Sequence, residues 1–485
     1  MKKNSNKIAK ILIRCLIGEG ILLAIVIMVY VGIVQQKKEK ASANSEQNVD
    51  ASTQVFDQQI TDGDESGNTN SQDAKGEGAD QVGESGLSQE ETVNMANEVL
   101  KAEERKQLLE KAEFLALGYD YDSAIQMITA YEDDYEQYEE LTEAVATYEE
   151  MKSSLSLYGS YDSVDEISHV FFHSLIADTS KAFDGDFMSN GYNYWMTTVD
   201  EFNRMMEQMY EDGYVLVSIH DVAREEVQED GSVKMVPGEI LLPEGKKPFV
   251  LSQDDVNFYE YMQSDGFARR LVIDENGYPA CEIELDGKTV VARDYDVVPL
   301  LEKFIEEHPD FSYRGARGII GVTGYEGVMG YRTNETESAT YEADVKQATE
   351  VANRLKELGW EFASHSFGHG HMGKESAAYV KRDSEHWDQA IAPIVGETDI
   401  YLFPYGEDIQ EGIGQYSGEK YETLSGLGFK YFCGVYAYPW IQVNDQYVRM
   451  TRRNLDGYSM HFYPNRLEDL FDVATTIDSA RPEFK

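Results

Sequence analysis

Short apolar runs alternate with amphipathic stretches from about residue 165 to the end of the chain. Seven of these runs have the length and apolar content of buried β-strands. They are HVFFHSL, YVLVSIHDVA, KPFVLS, ARGIIGVTG, WEFASHS, DIYLFPY and FKYFCGVY. Helix-like stretches such as DVKQATEVANRLKELG lie between several of them. The alternation predicts a parallel sheet wrapped by helices, most simply a barrel-like α/β fold, with catalytic residues at the carboxyl ends of the strands.

The stretch TTVDEFNRMMEQMYEDG predicts a capped amphipathic helix. Its apolar residues Phe202, Met205, Met206 and Met209 recur at helical spacing. We interpret them as one buried face of the helix rather than as a methionine-rich cofactor site.

The N-terminal pattern is different, because Cys15 to Val34 is nearly all apolar and is interrupted by Glu19. A run of roughly 20 residues matches the hydrocarbon core of a bilayer. Basic residues flank the run on both sides, so the bias toward a cytoplasmic N-terminus is modest. The absence of a small-residue cleavage site favours an uncleaved anchor over a removed signal peptide, which is the alternative. We expect residues 1–40 to be a cytoplasmic tip and single-pass anchor in the cell membrane, with the remaining chain extracellular.

Residues 41–87 are rich in Ser, Gly, Asn, Gln, Asp and Glu, a composition that predicts a disordered acidic linker. Ser88 and Glu91 then form a capping-box pattern, and helical periodicity follows over residues 88–160. Part of this segment looks like one tetratricopeptide-type unit, but such repeats normally need neighbours. We expect an α-helical spacer, with a platform for a protein partner as the alternative.

Composition narrows the possible ligands. The chain has 485 residues and a formal net charge of -47, which argues against binding to nucleic acid or adhesion to an anionic membrane surface. Its three cysteines are too few for a disulfide scaffold, although a bridge between Cys281 and Cys433 is conceivable.

Two motifs carry candidate chemistry. Asp254 and Asp255 directly follow the strand KPFVLS, and His365 and His369 follow the strand WEFAS. In a helical turn, histidines at this spacing face one side, as two ligands of one cation must; two surface histidines are the alternative. The H-E-x-x-H metalloprotease pattern is excluded, because Ser366 follows His365. One carboxylate and two imidazoles leave an open position for water, while the second carboxylate remains available as a base.

Taken together, these motifs resemble those of the NodB-like polysaccharide deacetylases, carbohydrate esterase family 4, over roughly residues 165–485. The matching segments are SQDD, HSFGH and LFPYG. The resemblance implies a distorted (β/α) barrel of the NodB-homology type. It also implies that Asp254 is the general base and that Asp255, His365 and His369 bind a divalent metal ion, with zinc the first expectation. The backbone N–H of Tyr405 would stabilise the oxyanion of a tetrahedral intermediate.

The sequence departs from the family pattern at several positions. Leu402 stands where many members carry an arginine that orients the base. The late histidine motif, which supplies the general acid, is matched only loosely by His461 in YSMHFYP. Trp440 is a candidate for the acetyl-methyl pocket. His173 resembles a histidine on the first strand of many members, although a core histidine bonded to backbone fits equally well.

The resulting prediction is a metal-dependent deacetylase that releases acetate from an N-acetylated cell-wall or exported polysaccharide. Its partners would be that polysaccharide and the membrane, with a possible protein partner at the helical segment. The rival hypothesis is a catalytically silent, membrane-anchored protein that binds a glycan or a partner through the same fold. A third hypothesis, an adhesin or assembly factor, would act through the helical segment.

Overall fold

A computed structural model describes residues 89–158, 167–285 and 287–484. The predicted anchor and acidic linker lie outside these residues. Among the residues described, no helix is long and apolar enough to cross a membrane. The chain divides after Leu108 into two compact units. The first is described only by the N-terminal part of one helix, and the second contains every other element.

The helices and strands are numbered in chain order. The helices are α1 Gln89–Leu117, α2 Tyr121–Thr129, α3 Glu139–Ser153, α4 Thr179–Ala182, α5 Ser189–Trp195, α6 Val199–Glu211, α7 Ile219–Val222, α8 Val297–Glu307, α9 Tyr341–Leu358, α10 Ala377–Ala390, α11 Ala392–Val395, α12 Glu419–Gly426, α13 Gly457–Phe462 and α14 Val473–Thr476. The strands are β1 Ser156–Tyr158, β2 Ser168–Phe172, β3 Tyr214–Leu216, β4 Ala223–Val227, β5 Val233–Pro237, β6 Ile240–Leu242, β7 Lys247–Gln253, β8 Arg270–Ile273, β9 Pro279–Leu285, β10 Lys288–Ala292, β11 Ile319–Val322, β12 Glu361–Ser364, β13 Ile400–Leu402, β14 Tyr431–Val435, β15 Ile441–Val443 and β16 Val448–Asn454.

Seven parallel strands close into a barrel in the order β11-β12-β13-β14-β16-β2-β7, and β7 pairs again with β11. Strand β3 adds in parallel to β7, and β15 adds antiparallel to β16. The barrel is wrapped by helices such as α6, α8, α9 and α10. The expected mixed α/β fold with a parallel barrel is therefore confirmed.

The barrel strands are apolar runs because both of their faces are buried. Every residue of β2, β11 and β13 is buried, and so is every residue of β7 after Lys247. One predicted strand is shorter than expected: YVLVSIHDVA leaves the sheet after Leu216, because Ser218 and Asp221 form a capping box that starts α7.

Strand β16 was not predicted from the sequence. It reads VRMTRRN, and its three arginines suggest an exposed segment, yet Arg449, Arg452 and Arg453 are all buried. Each is paired with a carboxylate: Arg449 with Asp408, Arg452 with Asp254 and Arg453 with Asp469. Ion pairing therefore allows this strand to occupy a position where charge would otherwise be excluded.

The amphipathic helix predicted around residue 200 is present as α6. Thr198 and Glu201 form a capping box at its start. Phe202, Met205, Met206 and Met209 are almost fully buried, which confirms that they are core residues.

Strands β12 and β13 are joined by the fewest paired positions in the barrel. Only Ser364 and Tyr401 are partners across this seam. A side-chain hydrogen bond adds to it, since the Thr398 hydroxyl donates to the carbonyl oxygen of Phe362 at 2.6 Å.

The end of α1 is tied to the barrel. The N–H of Arg314 donates to the carbonyl oxygen of Gly118 at 2.7 Å, and the Tyr119 hydroxyl donates to the Asp310 carbonyl at 2.9 Å. Helices α2 and α3 pack against each other after it. Whether this helical segment serves as a spacer or as a partner platform stays a prediction.

Two smaller expectations also have an outcome. The turn signals DENG and LDGK, between the paired aspartates and the next core strand, predict hairpins, and this segment does contain the antiparallel sheet β8-β9-β10. Cys281 on β9 and Cys433 on β14 are both buried and both free, so no bridge joins them.

Candidate metal and catalytic site

The predicted ligands come together at the carboxyl ends of barrel strands. Asp255 follows β7, while His365 and His369 follow β12. One ligand atom from each of these three residues lies within 4.8 Å of the other two. The barrel therefore assembles, from separate connections, the carboxylate and two imidazoles that the sequence singled out.

The connection that carries both histidines is not the helical turn that we expected. Ser366 and His369 have left-handed backbones, with φ of 60° and 51°, which interrupt any helix. The Asp383 carboxylate holds the connection in place by accepting N–H bonds from Phe367 and Gly368, both at 2.8 Å. The two imidazole rings are 5.0 Å apart. The hydrogen bonds of Asp383, and not a helical turn, therefore position the connection that carries His365 and His369.

His365 has one ring nitrogen committed to the backbone. Its Nδ1 lies 2.7 Å from the carbonyl oxygen of Leu402, so Nδ1–H donates and Nε2 keeps its lone pair for a cation. Burial lowers the pKa of this imidazole, because a charged ring would lose its hydration. A neutral ring in a fixed tautomer is the form that binds a metal.

Asp255 is oriented by two hydroxyl groups. Tyr259 donates to its Oδ1 at 2.8 Å, and Thr323 donates to the same oxygen at 2.5 Å. The other oxygen, Oδ2, faces Nε2 of His369 at 3.6 Å. One carboxylate oxygen is thus held by the protein while the other points at the histidines. The donor set and its orientation fit a divalent cation such as zinc.

Left-handed backbone geometry is concentrated at this site. Asp255, His369 and Tyr405 have φ of 55°, 51° and 57°. Residues with a side chain adopt this region at a cost in free energy, and they retain it where the surroundings impose it. The concentration of such residues supports a functional role for the three connections.

Asp254 is buried beside an arginine. Nη1 of Arg452 on β16 donates to its Oδ1 at 2.5 Å, and both side chains are almost inaccessible to solvent. Burial by itself would raise the pKa of Asp254. The Arg452 guanidinium, with the nearby His365 and His173, outweighs that effect and holds the pKa well below its usual range. Asp254 is therefore an ionised, oriented carboxylate next to the cation site.

Arg452 gives Asp254 the guanidinium partner that Leu402 cannot supply. Arg452 stands on a strand that the apolar pattern does not predict, so the motifs do not point to it. The available signal was the period of two in VRMTRRN, where Val448 and Met450 alternate with arginines and threonine. An arginine buried by such a strand requires a carboxylate partner, and Asp254 is a carboxylate for which the motifs supply no partner.

His173 also lies near the aspartates. It follows β2, and its imidazole interacts electrostatically with Asp254, Asp255 and the buried Asp456. Within the described part of the chain, its buried Nδ1 has no hydrogen-bond partner. It is therefore not the backbone-bonded core histidine that the sequence left as an alternative.

His461 lies elsewhere. It is exposed on α13, and its ring stacks on Phe484 at 4.1 Å and meets Phe462 edge-on at 4.6 Å. No described contact joins it to the aspartates or to the metal ligands. The cause is the start of α13, where Asp456 caps the helix and leaves His461 in its last turn. This placement does not favour His461 as the general acid.

Tyr405 lies in a single 3₁₀ turn that begins at Pro404. An early N–H in such a turn has no acceptor within the turn, as an oxyanion donor requires. Its exposed ring packs edge-on against His369 at 4.6 Å and stacks on His371 at 4.1 Å. Trp440 lines a cavity of about 760 Å³ next to this turn, together with Gly406, Val435 and Tyr436.

Comparison with known proteins finds similarity to a family model over part of the chain. Residues 333–431 match the family model described as Polysaccharide deacetylase. This match confirms the resemblance predicted from the motifs. No curated protein matches the chain.

Comparison with solved structures finds three similar chains. The deacetylase PplD of Streptococcus pyogenes in complex with acetate is 13% identical, with 63% of this chain and 97% of that chain covered and a TM-score of 0.33. A de-N-acetylase from Aggregatibacter actinomycetemcomitans is 12% identical, with 63% and 99% covered and a TM-score of 0.36. The Xyl-CE4 domain of a multidomain xylanase from the hindgut metagenome of Trinervitermes trinervoides is 15% identical, with 35% and 72% covered and a TM-score of 0.20.

Proposed function

The chain resembles the polysaccharide deacetylases, as the match over residues 333–431 indicates, and from this premise we propose that it is a metal-dependent de-N-acetylase of a polysaccharide. The observation that carries the proposal is the meeting of Asp255, His365 and His369 within 4.8 Å. The buried pair of Asp254 and Arg452 beside them supplies the second component of the reaction, an oriented base.

The three ligand residues would hold the cation, for which zinc is the first candidate. A divalent cation at this position would polarise the acetamide carbonyl and make water a better nucleophile. Asp255 and His365 are already oriented for that role by Tyr259, Thr323 and the Leu402 carbonyl.

The chain's own residues then account for the proton transfers. Asp254 accepts a proton from water as the oxygen attacks the acetyl carbon. The N–H of Tyr405 donates to the oxyanion that forms. His173, rather than His461, donates a proton to the amide nitrogen. The C–N bond breaks, and acetate and a glucosamine unit are released.

The substrate that this mechanism requires is an N-acetylated cell-wall or exported polysaccharide. The net charge of -47 is compatible with a neutral N-acetylated polymer and with the cationic glucosamine product, and it opposes anionic polymers. The enzyme would act outside the cell, held to the membrane by residues 15–34.

The first experiment measures acetate release from N-acetylglucosamine oligomers, together with metal content. Wild type should release acetate, and a chelator should stop the release. Asp254→Asn should keep the metal and lose roughly 10²-fold or more in turnover, whereas Asp255→Asn should lose the metal itself. Acetate release close to wild type in Asp254→Asn would show that this carboxylate is not the base.

The histidines offer a matched control for the metal assignment. His365→Ala and His369→Ala should each reduce metal content sharply and abolish activity. His371→Ala removes an exposed histidine of the same loop, which pairs with Glu407 at 3.0 Å, and should do much less. Full metal occupancy in both the His365 and His369 variants would refute the proposed site.

A further inference from the structure

Exposed aromatic side chains are concentrated at one end of the barrel. In the part of the chain that the structure describes, all but Phe114 and Tyr278 lie in connections that follow barrel strands. They are Phe187 and Trp195 after β2, Tyr261 after β7, Tyr325 after β11, Tyr405 after β13, Tyr436 and Tyr438 after β14, and Phe462 after β16. The metal ligands follow strands at the same end.

One group of these rings forms a continuous surface, which we call the aromatic platform: Trp195, Tyr458 and Phe462. Trp195 stacks on Tyr458 with centroids 5.2 Å apart, and Tyr458 lies 4.8 Å from Phe462. Tyr194 packs beside Tyr458 and Phe462 at 5.9 and 6.2 Å. Trp195 and Phe462 nevertheless remain 50% and 45% exposed, so the platform is a surface and not part of the core.

The platform is held rigidly by buried polar contacts. Its rings stand on α5 and α13, which approach so closely that a Cβ on Gly457 would collide with the carbonyl oxygen of Asn193. Arg481 fastens α5 to α6: its Nη1 donates to that carbonyl at 2.8 Å, and its Nη2 donates to Glu201 on α6 at 2.7 Å. Both Arg481 and Glu201 are buried. Rings fixed in this way lose little conformational entropy when a ligand binds.

The platform lies at the same end of the barrel as the proposed catalytic site. Strands β16 and β2 are neighbours in the barrel, and the platform helices follow their carboxyl ends. Asp456, which caps α13, interacts electrostatically with His173 beside the catalytic aspartates. A polymer with one unit in the site and further units extending past His173 toward α13 would reach the platform.

We propose that the aromatic platform is a distal binding site for the glycan, a β-linked N-acetylglucosamine chain whose next sugar units stack on Trp195, Tyr458 and Phe462. The uncharged, flat faces of these rings suit the apolar faces of pyranose rings. This inference rests on the proposed function and adds a preference for long chains over short ones.

The test measures binding in the Asp254→Asn background, so that the ligand is not consumed. The probes are N-acetylglucosamine hexamers and dimers of β-1,4 and of β-1,6 linkage, titrated by calorimetry. Adding Trp195→Ala and Tyr458→Ala together should weaken hexamer binding about tenfold, which corresponds to about 1.4 kcal/mol. The dimer should be affected much less, and Trp195→Phe, which keeps a ring, should recover part of the affinity.

The control is Phe114→Ala, which removes a 53% exposed ring away from the barrel rim and should bind the hexamers like its parent. Equal hexamer binding by the platform variant and its parent overturns the inference, and so does a parent that binds neither hexamer. Acetate release by wild type is scored separately. Loss of hexamer binding in the platform variant, with no acetate release by wild type, would support the platform and refute the proposed function. Acetate release by wild type, with equal hexamer binding by the platform variant and its parent, would support the proposed function and refute the platform.

Discussion

At the scale of single residues, the base depends on a partner from a distant part of the chain. Asp254 and Arg452 are both buried, and each provides the counter-charge of the other. The guanidinium also lies over the ring of Phe171 at 4.5 Å, which fixes its plane. The presence of Leu402 in place of the family's arginine therefore no longer supports the hypothesis of a catalytically silent protein.

Replacing Arg452 should impair stability and activity together. Arg452→Met leaves Asp254 buried without its counter-charge, so the free energy of unfolding should fall by about 3–5 kcal/mol. The pKa of Asp254 should rise, because burial is then opposed only by the histidines, and the acid limb of kcat/KM should move to higher pH. Arg453→Met is the control, since it breaks the pair with Asp469 and should cost stability without moving that limb.

The general acid can be assigned by comparing two histidines. His173→Gln removes the group beside Asp254 and Asp456 and should reduce turnover roughly 10²-fold while the metal stays bound. His461→Gln changes an exposed ring on α13 and should leave turnover near wild type. Metal analysis and acetate release on both variants decide the question, and the opposite ranking would restore the role predicted for His461.

Local motifs identify the candidate metal ligands and the proposed base, but not the residues that support them. Asp254, Asp255, His365 and His369 stand in short local motifs that can be recognised without a structure. Arg452, Thr323 and Asp383 are far from those motifs along the chain, and only the folded barrel brings them there. Supporting residues of this kind leave no local spacing to detect.

At the scale of elements, the opposite end of the barrel has its own polar cluster. His220 on α7 lies between Glu361, the first residue of β12, and Asp399, which precedes β13. Its Nε2 is 3.0 Å from Asp399, and its Nδ1 contacts Glu361. Because this cluster lies at the amino ends of the strands, we assign it to stability rather than to catalysis.

The His220 cluster predicts a pH-dependent stability. Burial tends to lower the pKa of His220, but hydrogen bonds to Asp399 and Glu361 outweigh it and raise the pKa to about 10. The stabilisation is therefore complete below the unfolded value of about 6.5 and is lost as the pH rises to about 10. His220→Gln should melt at a lower temperature than wild type at pH 6, and this difference should shrink by pH 10.

The matched control for that experiment is again His461→Gln, which removes an exposed histidine that has no described carboxylate partner. Its melting temperature should equal that of wild type at both pH values. A melting difference for His220→Gln that stays constant from pH 6 to pH 10 would contradict the assignment. Because 41% of the His220 side chain is exposed, solvent screening limits the size of the effect.

Elements were predictable to the extent that their surroundings were apolar or their ends were capped. The runs that became β2, β7, β11, β12, β13 and β14, and the capped helix α6, follow from local pattern. Strand β16 does not, because its charges are neutralised by residues that the pattern cannot pair with it. The loop of His365 and His369 does not either, since Asp383 determines its left-handed turns.

At the scale of the whole molecule, the N-terminal segment would determine where the enzyme works. We expect the full-length chain to fractionate with membranes and to be released by detergent but not by high salt, because residues 15–34 match a bilayer span. A variant that starts at residue 88 should be soluble and keep its metal site. Recovery of the intact full-length chain in the soluble fraction would contradict the anchor.

The sparse seam between β12 and β13 implies a place where the barrel opens. Its backbone pairing is limited to Ser364 and Tyr401. The ring of His365 adds one hydrogen bond across the seam by donating to the Leu402 carbonyl. Local opening starts where backbone pairing is weakest, so amide hydrogens along this seam should exchange with solvent sooner than those between β2 and β7. A cation bound to His365 would stabilise that hydrogen bond. Metal loading should therefore slow amide hydrogen exchange at the seam before it slows exchange anywhere else in the barrel.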